Sequence, residues 1–189
     1  MKDHEGMHGI VSLLDDEHYA LVESIWVELE EKFGVRGAYV TPFPHLSYQV
    51  GAGYNVERVG DILQEMTQDL SPFRIRTAGL GIFTLNHPVL YIPIVRSPEL
   101  SALHQRLWDA AAKDALGAVN YYHPEMWMPH ITLAHGDIDR DRLAEIVRSL
   151  SRSDFHWEAT ISNLSLIYDT GAKQGLMCRY NFGGEGGCR

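Results

Sequence analysis

Two short stretches of this chain set a histidine two residues ahead of a hydroxyl and directly after a proline. They are Pro44-His45-Leu46-Ser47 and Pro129-His130-Ile131-Thr132. On a strand, alternate residues share a face, so His45 falls with Ser47 and His130 with Thr132, while Leu46 and Ile131 point the other way into a core. If the two strands lie side by side, two imidazoles and two hydroxyls converge on one cleft. An imidazole has an ordinary pKa near ~6.5, so one of the pair can be neutral and accept a proton while the other, protonated, donates one. The hydroxyls can donate to the non-bridging oxygens of a phosphate, where charge builds in the transition state. This is a set of groups for acid–base chemistry on a phosphodiester without a metal. Two close imidazoles share their titration, so neither role can be assigned from residue type.

The elements that must position these groups read as two copies of one unit. Ala20-Leu21 precedes Trp26 as Ala102-Leu103 precedes Trp108, Gly34 and Tyr39 are echoed by Gly117 and Tyr122, and Ser71-Pro72-Phe73 by Ser153-Asp154-Phe155. The offsets stay between 82 and 85 and keep their order, which argues for an internal duplication over about 9–86 and 89–182 within a single domain spanning 1–189. The pattern predicts a strand at 9–14 and a helix at 15–33 with Val22, Ile25, Trp26, Leu29 and Phe33 on one face, ended by Gly34. The His45 strand follows, then a helix at 55–70 with Asn55 as its cap and strands near 73–78 and 80–85. The second copy predicts a strand at 89–95, a helix at 98–116, the His130 strand, a helix at 139–150, and strands near 155–160, 162–169 and 175–182. Trp26 and Trp108 read as core, and 183–189 as a flexible tail. The fold class is α+β: two pseudo-symmetric lobes of antiparallel sheet with outer helices and the cleft between them.

Composition narrows what enters that cleft. The chain has 189 residues and a net charge of -9, which suits a small nucleotide or one RNA terminus and not a grip on a long duplex. No apolar run approaches the ~20 residues of a membrane span, and no signal-peptide pattern opens the chain. Cys178 and Cys188 form no evident disulfide framework or zinc pair, so a cytoplasmic location is expected. Tyr39 and Tyr122 occupy matching loop positions ahead of the two histidines and can stack on a base or pack the loop; Trp127 lies close to His130, where packing competes with substrate contact. Arg74 and Arg76 share a strand face, and Arg36, Arg96 and Arg179 are further phosphate candidates without a spacing argument. His135 lies an odd number of residues from His130 and faces away from the cleft on a regular strand. No metal or cofactor is expected from the spacing of potential ligands.

The residues His45-Leu46-Ser47 and Pro129-His130-Ile131-Thr132-Leu133-Ala134, with Tyr121-Tyr122 and Trp127 ahead of the second, resemble those of the 2H phosphoesterase superfamily. The likeness is to its bacterial 2′-5′ RNA ligase-like, or RNA 2′,3′-cyclic phosphodiesterase, group. It extends from about Gly9 to Phe182. The first motif carries Ser47 where Thr is commoner and Tyr48 where an aliphatic residue is usual. The resemblance implies a metal-independent phosphodiesterase acting on 2′,3′-cyclic phosphate at RNA ends or on small nucleotides, giving a 2′-phosphate. It implies His45 and His130 as catalytic residues, Ser47 and Thr132 as phosphate-binding, and His130 as general base with His45 as general acid. Cleavage of 2′-5′ linkages, joining of RNA ends by the reverse reaction, and a nucleotide-binding module without turnover are the alternatives.

Overall fold

The computed structural model describes residues 6–41, 43–84 and 86–188, with the Val40 side chain left aside. The chain runs β1 (Met7–Leu13), α1 (Asp16–Phe33), β2 (His45–Gly51), β3 (Gly53–Tyr54), α2 (Val56–Gln68), β4 (Phe73–Arg76) and β5 (Gly81–Phe83). It continues with β6 (Val89–Pro93), α3 (Pro98–Ala111), β7 (Ala115–Leu116), β8 (His130–His135), α4 (Arg140–Leu150), β9 (Glu158–Ile161), β10 (Asn163–Asp169), β11 (Gln174–Asn181) and β12 (Gly186–Cys188). Among the described residues, four α-helices with antiparallel sheets make this an α+β fold, as expected.

Local chemistry fixes the helix ends. Asp15, Asn55, Ser97 and Asp139 each accept a hydrogen bond from the amide three residues on, capping α1, α2, α3 and α4. Gly34 ends α1 at φ +67°, a conformation that costs glycine nothing. Each helix buries one stripe: Val22, Trp26 and Leu29 on α1, Leu100, Leu103, His104 and Leu107 on α3. Helix α3 is shorter than the sequence pattern suggests, because Ala112–Asp114 tighten into a 3-10 turn and Ala115–Leu116 pair with β3.

Two sheets matter for the cleft. The larger has the order β12-β11-β10-β1-β2 and the smaller β5-β6-β8. The motif strands β2 and β8 are therefore edge strands, and they lie next to each other. Each half lends its last strands to the other: β5 completes the sheet of β6 and β8, while β10 completes the sheet of β1 and β2. The pair β4–β9 joins the halves, with Phe73 opposite Ile161.

Two expectations are corrected here. The tail is not loose up to Cys188: β12 pairs with β11, and Cys178 and Cys188, directly opposite each other, are joined as a disulfide. Arg189 lies outside the described residues. Trp108 is half-buried against His123 at 5.2 Å instead of in the core, since its helix position borders the stripe. No helix among the described residues is long and apolar enough to cross a membrane.

Candidate active site

The spacing of the two motifs does place their side chains together. His45, Ser47, His130 and Thr132 line one cavity of about 440 Å³ between β2 and β8. All four are half-buried, while Leu46 and Ile131 between them are fully buried.

The two imidazoles are held alike. His45 Nδ1 is hydrogen-bonded to the carbonyl of Phe43, and His130 Nδ1 to that of Met128 at 2.7 Å, each two residues back along the chain. A carbonyl only accepts, so Nδ1 carries the hydrogen on both rings and Nε2 is left for the cleft. Their electrostatics differ. Desolvation pushes His45 down from 6.5 to about 4, against the upward pull of the Phe43 carbonyl, with the nearness of His130 a further downward effect. Desolvation also lowers His130, opposed by the Met128 carbonyl. Because each ring would feel the other's charge, one proton on the pair disfavours a second.

Beyond each motif the strand breaks its own alternation. Val11 faces Ser47 and Ile10 faces Gln49, so Tyr48 is an extra residue without a partner. Tyr91 faces Thr132 and Leu90 faces Ala134, so Leu133 is the extra residue in β8. Both bulges fall immediately after the motif hydroxyl. A bulge resets which face the next residues occupy. Val50 and His135, which regular alternation would turn away, therefore line the cleft. The expectation for His135 is thus overturned: it is an exposed cleft residue at the matching position to Val50.

Side chains brace both bulges. The Trp127 indole donates to the carbonyl of Ser47 at 2.9 Å, and the Trp26 indole to the carbonyl of Thr132 at 3.1 Å. His104 Nε2 is 2.9 Å from the carbonyl of Tyr48, and its ring stacks on Trp127 with centroids 3.8 Å apart. Burial drives the His104 pKa down to about 4, which keeps this ring neutral and donating from Nε2.

The aromatic candidates divide. Tyr122 lines the cleft and faces the Ser47 hydroxyl, with its phenol pKa raised by burial. Tyr39 does not reach the cavity: it packs edge-on against Trp26 at 5.8 Å, because the turn Gly37–Val40 lays its ring on α1. Trp127 does not reach it either, being 1% exposed and committed to His104, Tyr48 and the Ser47 carbonyl. The arginine candidates are engaged elsewhere. Arg74 and Arg76 pair with Glu158, Arg36 pairs with Glu30, and Arg96 bonds the carbonyls of Trp127 and Pro124. Arg179 is not among the residues that line the cavity, and its Nε is 3.4 Å from Asn181.

Residues that spacing did not reveal complete the cleft. Phe83 and Tyr91 flank the His130 ring at 5.2 and 5.1 Å, and Tyr121, half-exposed, meets Phe83 edge-on. His8 on β1 and Tyr168 on β10 also line the cleft. Phe83 and Tyr168 each follow directly on an isoleucine in short apolar stretches, so only the sheet order shows that they meet the motifs. Among the described residues, no group of three or more His, Cys, Asp or Glu is arranged to hold a metal ion.

The loops that wall the cleft are interlocked. The turn at Gly37, from the first half, lies on the His135 carbonyl so closely that a Cβ would collide with it, and Asp137 accepts from the amides of Arg36 and Gly37 at 2.6 and 2.9 Å. The loop from the second half returns the contact: the Val119 amide donates to the Val50 carbonyl at 2.8 Å.

Comparison with known proteins agrees with this architecture. The 2′-5′ RNA ligase superfamily model matches residues 14–173. A Bacillus cytotoxicus protein carrying the name "Putative phosphoesterase Bcer98_0945" is 24% identical over 128 residues, covering 66% of this chain and 70% of that protein. A similarly named protein of Bacillus cereus strain B4264 is 23% identical over 128 residues, with the same coverage of 66% and 70%. A solved phosphoesterase structure superposes with a TM-score of 0.56 at 15% identity, covering 94% of this chain and 98% of the other, a likeness of fold. Two histidine–hydroxyl strands at one cleft, this fold and the family match over most of the chain agree, and the protein belongs to the 2′-5′ RNA ligase superfamily of 2H phosphoesterases.

Proposed function

We propose that the protein hydrolyses 2′,3′-cyclic phosphate, at RNA ends or on small nucleotides, by metal-independent acid–base catalysis with His45 and His130. The observation that supports this most directly is that both imidazoles have Nδ1 tied to a backbone carbonyl and line one cleft beside two hydroxyls. A neutral Nε2 on one side takes a proton from water as its oxygen bonds to phosphorus. The imidazolium on the other side gives its proton to the ribose 3′ oxygen as that P–O bond breaks. The 2′-phosphate remains, and one further proton exchange resets the pair. Ser47 and Thr132 donate to the non-bridging oxygens, with Tyr122 aligning Ser47. The deeper desolvation of His45 favours His45 as the neutral base and His130 as the proton donor, the reverse of what the family resemblance implies.

A second reading has one observation in its favour. The cavity lining extends beyond the motif strands into both sheets, to His8 on β1 and Tyr168 on β10 in one and to Phe83 on β5 in the other. That leaves room for a substituent on each ester oxygen, as in a 2′-5′ linked dinucleotide, and the same groups run in reverse would join RNA ends. The matched bulges of β2 and β8 also support the duplication inferred from the sequence, and with it one bilobal domain.

Purified protein should hydrolyse adenosine 2′,3′-cyclic phosphate to the 2′-phosphate in the presence of EDTA, and a 2′-5′ linked dinucleotide assayed alongside ranks the two readings. Activity lost in EDTA and restored by a divalent ion would end the metal-independent mechanism. Tight nucleotide binding with no hydrolysis of either substrate would leave a binding module.

A further inference from the structure

We propose that Trp26, Trp127 and His104 are positioning residues of the active site, each holding the phosphate-binding motif that belongs to the opposite half of the chain. The inference rests on the reading of Ser47 and Thr132 as phosphate donors. Trp26 lies on α1 of the first half and holds the Thr132 carbonyl of the second; Trp127 and His104 lie in the second half and hold the Ser47 and Tyr48 carbonyls of the first.

The physical reason lies in the bulges. At Tyr48 and Leu133 the ladder is broken, so strand pairing alone does not fix the direction of the peptide that follows each motif hydroxyl. That direction sets where the hydroxyl points. Each of the three carbonyls takes its donor from a rigid ring held on one fixed side, the Tyr48 bond being fully buried. Trp127 and His104 are 1% exposed and Trp26 is 4% exposed, so water does not substitute for them. The stack of His104 on Trp127 gives the β2 bulge a paired brace, whereas the β8 bulge has a single indole. Because the braces cross between halves, the separation of the two hydroxyls, and hence the span across a phosphate, is set by each half gripping the other.

The experiment is a crossed set of double-mutant cycles. Trp127→Phe and Trp26→Phe keep a ring and remove the N–H donor. Each should lower kcat/KM for a cyclic mononucleotide about 10- to 100-fold, the loss that a displacement of about 1 Å produces in a reacting group. In the Ser47→Ala background the Trp127→Phe loss should vanish, and in the Thr132→Val background it should persist; Trp26→Phe should show the mirror pattern. His104→Gln, which retains a donor, should keep more activity than His104→Leu. Amide hydrogen exchange gives a readout independent of turnover: Trp127→Phe should speed exchange in β2 about tenfold and leave β8 unchanged, with the reverse for Trp26→Phe. Equal losses in both backgrounds, with exchange altered alike in both strands, would overturn the proposal and mark the rings as ordinary core. If a tryptophan variant fails to fold, the two His104 variants and their β2 exchange decide in the same way. Crossed exchange with no activity change in Ser47→Ala or Thr132→Val would instead overturn the phosphate-binding role of the hydroxyls and leave the brace standing.

Discussion

Strands β2 and β8 carry the same device in two settings. Each presents a histidine, a hydroxyl, a bulge and then a third cleft residue, and each imidazole is pinned through Nδ1 to the carbonyl two residues back. The differences lie in what surrounds the device. His45 is the more strongly desolvated, with its pKa pushed down to about 4, whereas His130 sits between Phe83 and Tyr91 and is lowered too. The third residue is Val50 on one strand and His135 on the other. A repeated backbone can thus supply two equally aimed groups, while local packing makes one a better proton donor than the other. One proton shared by two close imidazoles already lets a base and an acid coexist at one pH, and the asymmetry biases which ring holds it.

Deleting either imidazole is the strongest way to break the comparison. His45→Ala and His130→Ala should each lower kcat about 10³-fold, within the range of lost general acid–base catalysis. Single-turnover assays with a cyclic mononucleotide check this, and a double variant with parental activity would refute the site. Next come the hydroxyls: Ser47→Ala and Thr132→Val should each cost about 10- to 100-fold, seen mainly in kcat, because donors aimed at developing charge act in the transition state. If the two strands are equivalent at this position, the two losses should agree within a few-fold.

The pH profile sharpens the difference between the imidazoles. In the proposed mechanism the active form of the free enzyme carries one proton on the pair. With both pKa values lowered, that form is lost as pH rises through the His130 pKa, and lost again as pH falls through the His45 value of about 4. The optimum of kcat/KM should therefore lie between about 4 and 6.5, falling about tenfold per pH unit on the alkaline side. An optimum above 7 would show that the two rings do not divide the roles in this way. Stability follows the same sign. His45 and His104 take up protons less readily folded than unfolded, so stability should be full above about 6.5 and decline as pH falls toward 4, measurable by thermal unfolding.

What could be read from the sequence follows from period. A strand alternates every two residues, so His45 with Ser47 and His130 with Thr132 were visible as shared faces, and helix stripes and caps were visible for the same kind of reason. A bulge has no periodic signature, so the parity rule fails beyond Leu133 and puts His135 on the wrong face. Spacing also matched Tyr39 with Tyr122, yet only Tyr122 lines the cleft, because Tyr39 finds Trp26 to pack against. Cys178 and Cys188 look unrelated until the register of β11 and β12 sets them opposite each other. Trp127 is close to His130 in sequence, but its partner is the carbonyl of the other motif, a long-range contact that no local pattern encodes.

The smallest expected effect tests the third cleft position. Val50 and His135 follow their bulges at matching places, one apolar and one able to hydrogen-bond and carry charge. Exchanging them by Val50→His with His135→Val keeps the composition of the cleft and moves the polar side chain from β8 to β2. Both side chains sit on edge strands beside the cavity and His135 is exposed, so the fold should tolerate the exchange. Neither residue takes or gives a proton in the proposed mechanism, so kcat should change less than threefold. If His135 meets a polar part of the substrate, KM should rise a few-fold for His135→Val alone. The double exchange should then not restore it, because the reacting imidazoles remain unequal and fix which way the phosphodiester lies. Restoration by the double exchange would mean that the substrate can bind in either sense, and that β2 and β8 are more nearly equivalent than the packing around His45 and His130 implies.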